Sequence, residues 1–340
     1  MATKKIAFVL PFVNNLPRYS GLFFRSVGLN QCIDVLLMVD RNPIFLVPGN
    51  VHVIKTTKQE IVARILAHTG LEINEITGHK LCDFRPLYPL IFKDYLIGYE
   101  WWGHCDIDIM FGDLKGWMQE YLDPFYDVVS ASESSTIGHF TVWKNTQRVS
   151  SQMAQMLDNP RYKEKFLNPN NQHLDEGGAY EHLIASTSLR ILNTPRLEEC
   201  LTMKLCPYGI TFTPDGSTAG LTYREYGIAY WKDGRTWYES ANRKPVEVLY
   251  IHFMGNKSWW NMIFYRTSYS KKSVHVFSPI GYGLVAGIND FYRFRYKAVR
   301  LMQVVLSNIK VKSGGALRFC LSPEAFRLTR RLFIRSGRYS

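Results

Sequence analysis

Two aspartates two residues apart, at the end of an apolar stretch, are the residues of this chain best suited to chemistry. They are Asp106 and Asp108 in the segment Trp101–Asp113, which reads WWGHCDIDIMFGD. The apolar residues before them predict a buried strand, and open α/β sheets bind ligands outside the carboxyl ends of their strands. Two hard carboxylates at such an edge suit Mg²⁺ or Mn²⁺ together with the oxygens of a diphosphate.

The residues alone leave other interpretations of this Asp-x-Asp pair open. Such a pair is common by chance, and the same aspartates are typical of a solvated loop or a helix cap. Aspartyl phosphatases carry D-x-D-x-[TV] near the start of their domain. Here Met110 occupies the fifth position and the motif lies about a third of the way along the chain, which disfavours that class.

The wider string is more specific than the pair. Lys80–Asp113 reads KLCDFRPLYPLIFKDYLIGYEWWGHCDIDIMFGD and resembles the core of a family of bacterial glycosyltransferase-like proteins in the glycosyltransferase-A superfamily. The family pattern runs approximately K-x-C-D-[FY]-[KR]-P-x-[YF]-G, then an apolar helix, then G-Y-x-x-W-G-x-x-D-x-D-x-x-x-G-D. The matching positions are Lys80, Cys82, Asp83, Phe84, Arg85, Pro86, Tyr88, Gly98, Tyr99, Trp102, Gly103, Asp106, Asp108, Gly112 and Asp113. Pro89 stands where the pattern has glycine, and we do not expect that change to affect a metal site.

Looser matches on both sides extend the resemblance over roughly residues 5–260. They are Ile6–Phe12 with Asp40, Gly138-His139-Phe140 with Asn145, Asp175-Glu176, and Tyr250–Phe253. The resemblance implies an α/β fold of the glycosyltransferase-A type, Rossmann-like, with a mostly parallel sheet and helices on both faces. We place this catalytic domain at residues 1–275 and a basic amphipathic helical extension at residues 276–340.

The implied activity is transfer of a hexose-like sugar from a nucleotide sugar, preferably UDP-linked, to a glycan or lipid-linked acceptor in surface polysaccharide synthesis. A divalent cation, Mn²⁺ or Mg²⁺, neutralises the charge that develops on the leaving diphosphate. By resemblance, Asp108 is the direct metal ligand, whereas Asp106 binds the metal through water or binds the ribose hydroxyls. Many enzymes of the superfamily complete the coordination with a late histidine, for which we predict His252. A single histidine at a strand end is equally typical of a structural role.

The remaining candidate residues follow from the same resemblance. We predict that Asp83 contacts the base or ribose and that Arg85 pairs with a phosphate, because a planar guanidinium fork fits phosphate oxygens. An Asp–Arg pair that ties a loop explains these two residues equally well. Gly138, His139 and Phe140 are predicted to line the acceptor side.

Asp175 and Glu176, in the segment NQHLDEGGAYEH, are the predicted catalytic carboxylates. In an inverting reaction such a carboxylate takes the proton of the acceptor hydroxyl, and in a retaining reaction it stabilises positive charge on the sugar ring. From the residues alone, a helix N-cap followed by a first-turn acid is the simpler explanation. The resemblance favours catalysis.

The elements that must position these residues alternate between apolar strands and amphipathic helices. Strands are predicted at Lys5–Phe12, Ile33–Val39, Val51–Thr56, Trp101–Ile107, Tyr126–Ser130, His139–Trp143 and Val246–His252. Helices are predicted at residues 18–29, Lys58–His68, Pro86–Tyr99 and about Thr146–Leu157. Asp233-Gly234 between aromatic flanks predicts a hairpin at Tyr230–Glu239.

Charge separates a neutral body from a basic tail. The chain has 340 residues and a net charge of +12, and residues 291–340 hold 12 Lys and Arg against the single acid Glu324. A cationic amphipathic helix here predicts contact with an anionic membrane surface. The alternative is a helix that packs on the domain. Nucleic acid is a weaker candidate, because we find no helix-turn-helix, zinc-finger or ribonucleoprotein motif.

The composition disfavours further kinds of site and segment. None of the six cysteines forms a C-x-x-C pair, which disfavours a zinc ribbon or a thioredoxin-like site. No run of about 18 apolar residues is present. We expect a cytoplasmic protein, peripheral on the inner face of the plasma membrane. The rival hypotheses are a non-catalytic glycan- or membrane-binding protein with a glycosyltransferase-like fold, and a polyanion-binding protein that acts through its tail.

Overall fold

A computed structural model of the chain describes residues 6–13, 15–17, 19–44, 46–132, 135–194, 200–206, 209–213, 227–240, 243–253, 274–278 and 281–285. The predicted basic tail at residues 291–340 lies outside these residues. Of the predicted extension at 276–340, the structure describes only residues 276–278 and 281–285, which belong to two strands.

The described part of the chain contains three sheets and eight α-helices. The strands are β1 Ile6–Phe12, β2 Ile33–Val39, β3 Val51–Lys55, β4 Trp101–Cys105, β5 Ile109–Phe111, β6 Val128–Ser130, β7 Phe140–Lys144, β8 Ile191–Asn193, β9 Cys200–Cys206, β10 Gly209–Thr213, β11 Gly227–Lys232, β12 Arg235–Ser240, β13 Arg243–Val248, β14 Tyr250–His252, β15 Val274–Ser278 and β16 Gly281–Val285. The helices are α1 Ser20–Leu29, α2 Lys58–Thr69, α3 Gly78–Asp83, α4 Tyr88–Ile91, α5 Leu114–Tyr121, α6 Gln147–Ala154, α7 Pro160–Leu167 and α8 Ala179–Ser186.

The central sheet has seven strands in the order β3-β2-β1-β4-β7-β6-β8. Strands β3, β2, β1 and β4 are mutually parallel, β7 is antiparallel to both of its neighbours, and β8 is parallel to β6. All seven residues of β2 are buried, as expected for an inner parallel strand covered on both faces. The predicted α/β fold with a mostly parallel sheet is therefore confirmed.

The two faces of the central sheet are covered differently. One face buries apolar side chains of α2, α3, α6, α7 and α8. The other face carries α1 and α5 together with strands of the two smaller sheets. Those sheets have the orders β10-β9-β14-β5 and β13-β12-β11-β15-β16. Helices thus lie on both faces as predicted, but one face is also covered by strands of the two smaller sheets.

Local sequence explains several of these boundaries. Thr57 and Glu60 form a capping box at the start of α2, and Gly70 ends that helix in the left-handed conformation at φ 69°. Asp233 and Gly234 have φ of 51° and 81°, the positive values that a tight two-residue hairpin needs. The hairpin predicted at Tyr230–Glu239 is confirmed as β11 and β12.

Two predicted elements differ in the structure. The single helix expected at Pro86–Tyr99 is a series of short turns, because Pro86 and Pro89 cannot donate backbone hydrogen bonds. The strand expected at Val246–His252 is divided at Leu249 into β13 and β14, which belong to different sheets.

Candidate active site

The chain leaves the central sheet between Asp106 and Asp108. Strand β4 ends at Cys105, and the Asp106 N–H donates to the carbonyl of His139 at 3.2 Å. Strand β5 begins at Ile109 and pairs antiparallel with β14, which places Ile109 opposite His252. The carbonyl of Asp108 accepts a hydrogen bond from the Phe253 N–H at 2.9 Å. This change of sheet brings a late histidine beside the two aspartates.

Asp106, Asp108 and His252 form a compact group of candidate metal ligands. One ligand atom from each lies within 4.8 Å of the others. His252 Nε2 is 3.5 Å from Asp108 Oδ1 and 3.8 Å from Asp106 Oδ2. Asp108 and His252 are buried, whereas the Asp106 side chain is 32% exposed. Two carboxylates and an imidazole, open on one side, fit a borderline divalent cation such as Mn²⁺.

Arg85 connects this group to the predicted catalytic turn. Its Nη2 donates to Asp106 Oδ1 at 2.5 Å, and its Nη1 donates to Asp175 Oδ2 at 2.9 Å and to the carbonyl of Gly138. Burial works against the charged form of Asp106, yet the Arg85 guanidinium brings the pKa of Asp106 below its ordinary value. The carboxylate is therefore ionised and available to a cation.

Asp175 and Glu176 lie in a single π-helical turn, Leu174–Gly178, directly before α8. The Thr136 hydroxyl donates to both of their backbone carbonyls, at 2.9 and 2.6 Å. Burial raises the pKa of Asp175 to about 7, with Arg85 acting in the opposite direction. Glu176 has non-helical backbone angles of φ −108° and ψ −106°, and its side chain is 46% exposed. The helix cap favoured by the residues alone is thus an irregular turn.

Gly138 occupies the centre of the site. A Cβ atom there would lie 2.5 Å from Asp175 Oδ2, 3.0 Å from Arg85 Nη1 and 3.2 Å from Glu176 Oε1. Its carbonyl oxygen accepts from Arg85 and contacts His104 Nδ1 at 2.9 Å. The absence of a side chain at Gly138 is what allows these groups to meet.

His104 is a residue of the site that our sequence reasoning missed. Burial lowers its pKa well below the ordinary value, so the imidazole is neutral. Because a carbonyl only accepts, the contact with Gly138 assigns the ring proton to Nδ1. Nε2 is buried without a hydrogen-bond partner among the described residues. The available signal was its position two residues before Asp106, since alternate strand residues share a face.

His139 lies against the candidate metal ligands. Its ring stacks on that of His252 with centroids 4.0 Å apart, and its Nε2 lies 3.1 Å from the hydroxyl of Tyr250. Burial lowers the pKa of His139 well below its ordinary value, so it adds no positive charge there. These contacts orient His252. Whether His139 also binds the acceptor, as predicted, stays a prediction.

The structure gives Asp83 a different role from the predicted one. Its side chain is fully buried and accepts hydrogen bonds from Lys80 Nζ at 2.9 Å and from the backbone N–H groups of Gln172 and Leu174. No oxygen of Asp83 is exposed to a nucleotide. The alternative of an Asp–Arg pair is also corrected, because Asp83 pairs with Lys80 while Arg85 pairs with Asp106 and Asp175.

The acceptor-side prediction for Phe140 does not hold. The ring is fully buried and packs against Phe8, Trp117 and Tyr250 in the core, so it presents no face to a ligand. Aromatic residues inside a strand are usually core residues, and the local pattern of Phe140 could not separate the two roles.

None of the helices in the described part of the chain has the length and the apolar character of a membrane-spanning segment.

A comparison with solved structures finds similarity at low sequence identity. Mouse xyloside xylosyltransferase 1 in its apo form is 8% identical, with a TM-score of 0.43 over 74% of this chain and 98% of its own. A glycosyltransferase involved in the glycosylation of the major capsid of PBCV-1 is 9% identical, with a TM-score of 0.40 over 76% and 97%. The galactosyltransferase LgtC, in complex with donor and acceptor sugar analogs, is 13% identical, with a TM-score of 0.40 over 75% and 89%.

No curated protein matches the sequence. A protein family does: residues 8–276, most of the chain, match the profile of a family of unknown function, DUF6625. The match begins within β1 and ends within β15, so it includes every residue of the site described above. The chain belongs to the family DUF6625.

Proposed function

We propose that the protein is a metal-dependent glycosyltransferase, which moves a sugar from a nucleotide sugar to a glycan or lipid-linked acceptor. The observation that carries the proposal is the convergence of Asp106, Asp108 and His252 at one open edge, to which Arg85 joins Asp175. Glu176 is the next residue of the same turn. The UDP-linked donor, the acceptor class and the place in surface polysaccharide synthesis come from the sequence resemblance.

Asp108, Asp106 and His252 would hold the cation, Mn²⁺ or Mg²⁺. When bound, such an ion stabilises negative charge on the diphosphate leaving group. The chain's own contribution is orientation. The neighbouring strands fix Asp108 and His252, and Arg85 fixes Asp106. The imidazole in the set favours Mn²⁺ over Mg²⁺.

A carboxylate of the turn Leu174–Gly178 would act on the acceptor or on the sugar ring. In an inverting reaction, the acceptor oxygen bonds to the anomeric carbon, the carbon–oxygen bond to the diphosphate breaks with its electron pair on that oxygen, and the hydroxyl proton passes to the carboxylate. In a retaining reaction, the same carboxylate faces the developing positive charge of the ring. Both arrangements need an ionised side chain next to the metal edge.

Nucleotide release is the direct test of this proposal. Wild-type protein is incubated with a panel of UDP- and other nucleotide sugars, with and without Mn²⁺, and free nucleotide is measured. We expect Mn²⁺-dependent release for at least one donor and a loss of at least about 100-fold in Asp108→Asn, which removes an electrostatic contact. The matched control is Asp158→Asn, the same change at an exposed position outside the site.

A thermal-shift screen of the same panel reports binding without turnover, because a ligand of the folded state raises the melting temperature. Binding of a nucleotide sugar without turnover would favour the non-catalytic alternative. Neither binding nor turnover by any nucleotide sugar would contradict the proposed function.

The basic tail enters the proposal only as the candidate contact with an anionic membrane. Flotation of the full chain with vesicles of neutral lipid, and with vesicles that include anionic lipid, measures this directly. We expect recovery with the anionic vesicles only, weakened by salt. Equal recovery in the soluble fraction in both cases would contradict the membrane role.

A further inference from the structure

One side chain, Arg85, links four separate segments around the candidate site. It follows α3, whereas Asp106 follows β4, Gly138 precedes β7, and Asp175 lies in the π-helical turn before α8. Its two terminal nitrogens are assigned to different carboxylates, Nη2 to Asp106 and Nη1 to Asp175. A planar, rigid guanidinium holds two such partners in one fixed relation.

This arrangement fixes the orientation of Asp106. Because Arg85 Nη2 holds Oδ1, it is Oδ2 that lies toward His252, at 3.8 Å from Nε2. Rotation of the Asp106 carboxylate would break the contact with Arg85. Arg85 is itself held by Asp175 and by the Gly138 carbonyl. Asp175 therefore restrains, through Arg85, the oxygen that Asp106 offers to a cation.

Asp175 and Glu176 are adjacent in sequence but differ in access. The Asp175 side chain is 4% exposed and has its carboxylate against Arg85, whereas the Glu176 side chain is 46% exposed. Both carboxylates lie close to the bare Cα of Gly138. A substrate at the open edge can touch Glu176, but it can reach Asp175 only if the buried contact with Arg85 is broken.

The backbone of the turn supports this division. The angles of Glu176, φ −108° and ψ −106°, interrupt the helical path, and the Thr136 hydroxyl holds the carbonyls on either side of that break. The turn is thus fixed by a partner outside the site, while the two carboxylates reach different depths.

We propose that Glu176 is the carboxylate that contacts the reacting substrate, and that Asp175 is a positioning residue that orients Asp106 through Arg85. This division rests on the proposed glycosyltransferase function for Glu176. The Asp175–Arg85–Asp106 link requires only that the site bind a divalent cation. The two halves can therefore be tested separately.

The test uses two isosteric changes, Asp175→Asn and Glu176→Gln, in the full chain. Mn²⁺ affinity is measured from the electron paramagnetic resonance signal of free Mn²⁺, and turnover is measured by nucleotide release. At pH 8, above the pKa of Asp175, we expect Asp175→Asn to weaken Mn²⁺ binding at least about 3-fold, since Arg85 then neutralises Asp106 more fully. We expect Glu176→Gln to keep Mn²⁺ affinity within about 2-fold and to lose at least about 100-fold in turnover.

A background variant, Arg85→Lys, shows whether Asp175 acts through Arg85 or by direct attraction of the cation. A single ammonium cannot hold both carboxylates in the geometry of the fork. In that background, Asp175→Asn should change Mn²⁺ affinity by less than about 1.5-fold. If Asp175→Asn lowered Mn²⁺ affinity by the same factor in the wild-type and the Arg85→Lys backgrounds, the positioning role would be overturned. Circular dichroism checks that Arg85→Lys folds. The comparison of Asp175→Asn with Glu176→Gln in the wild-type background does not depend on the Arg85→Lys variant.

The remaining outcomes are also decisive. Glu176→Gln with turnover within about 3-fold of wild type would overturn the assignment of Glu176. Loss of turnover in Asp175→Asn with unchanged Mn²⁺ affinity would make Asp175 the substrate-contacting group instead. If wild-type protein turns over no nucleotide sugar, the proposed function fails and the role of Glu176 fails with it. The Mn²⁺ titrations still decide the link through Arg85.

Discussion

Two buried cations, five residues apart in the segment Lys80–Arg85, have opposite surroundings. Lys80 donates to Asp83 and to the carbonyls of Lys165 and Asn170, and Asp83 accepts from two backbone N–H groups in turn. The pair itself is enclosed, since the side chains of Lys80 and Asp83 are 3% and 0% exposed. Arg85 instead reaches Asp106, which is 32% exposed, and Asp175, which is followed by an exposed glutamate.

The difference distinguishes a structural ion pair, Lys80–Asp83, from the contacts of Arg85, which orient residues of the candidate site. Lys80 and Asp83 fasten the segment before the π-helical turn, and neither of the two side chains is accessible from solvent. Arg85 connects the buried Asp175 to Asp106, whose side chain is 32% exposed. Both pairs are buried, so burial alone does not identify function. What distinguishes them is whether a partner is accessible to a ligand.

The largest expected effect comes from breaking the interior pair. Asp83→Asn leaves the Lys80 ammonium buried without its counter-charge, which costs about 3–5 kcal/mol in the free energy of unfolding. Urea unfolding measures this loss, and Mn²⁺ affinity measured on the folded protein should stay within about 2-fold of wild type. The control Asp94→Asn removes an exposed partner of Arg64 and should cost about 0–1 kcal/mol. Equal stability of the two variants would contradict the comparison.

The second prediction concerns pH. The pKa of Asp175 is raised to about 7 by burial, so the folded protein keeps a proton that the unfolded chain releases near pH 4. This contribution to stability is fully present below about pH 4 and is lost as the pH rises through 7. Relative to Asp175→Asn, wild-type protein should therefore lose on the order of 2 kcal/mol between pH 5 and 8 in metal-free buffer. Parallel stability curves for the two proteins would refute the raised pKa.

A smaller effect should follow from adding one methyl group at the centre of the site. Gly138→Ala forces a Cβ against the carboxylate of Asp175 and the guanidinium of Arg85, which should cost about 1–3 kcal/mol and weaken Mn²⁺ binding. Gly177→Ala, in the neighbouring turn, is the control, because no heavy atom lies within 4 Å of its added Cβ. Thermal unfolding and Mn²⁺ titration measure both effects. A Gly138→Ala variant that behaves like Gly177→Ala would show that the close approach at Gly138 is unimportant.

The sequence predicted most strands and helices well, because apolar periodicity and helix-capping residues are local features of the sequence. β1, β2, β3, α2 and the Asp233-Gly234 hairpin all follow from periodicity and turn residues. The grouping of Asp106, Asp108 and His252 was also predicted and is present. It rested on the resemblance, because the change of sheet that brings His252 into place is a long-range pairing.

The contacts of the buried polar residues could not be predicted in the same way. Arg85 meets Asp175 across 90 positions of sequence, and Asp83 meets Leu174 across 91. No local sequence pattern shows that Asp83 binds the protein interior whereas Arg85 binds residues of the site. A nucleotide-binding role was therefore predicted for both Asp83 and Arg85. The acceptor-side prediction for Phe140 was wrong for a related reason, because the local sequence does not show which face of the sheet an aromatic strand residue occupies. His104 was missed because a histidine inside an apolar strand resembles a core residue.

The central claim is that Asp106, Asp108 and His252 bind a divalent cation, and Mn²⁺ titration followed by electron paramagnetic resonance tests it most directly. Wild-type protein should bind one Mn²⁺, with affinity reduced at least about 10-fold in Asp108→Asn and in His252→Ala, since each loses a ligand. Asp158→Asn and His79→Ala, the same changes at exposed positions, should bind as wild type does. If wild-type protein binds no Mn²⁺, or if the two site variants bind it as tightly as their controls, the claim is contradicted.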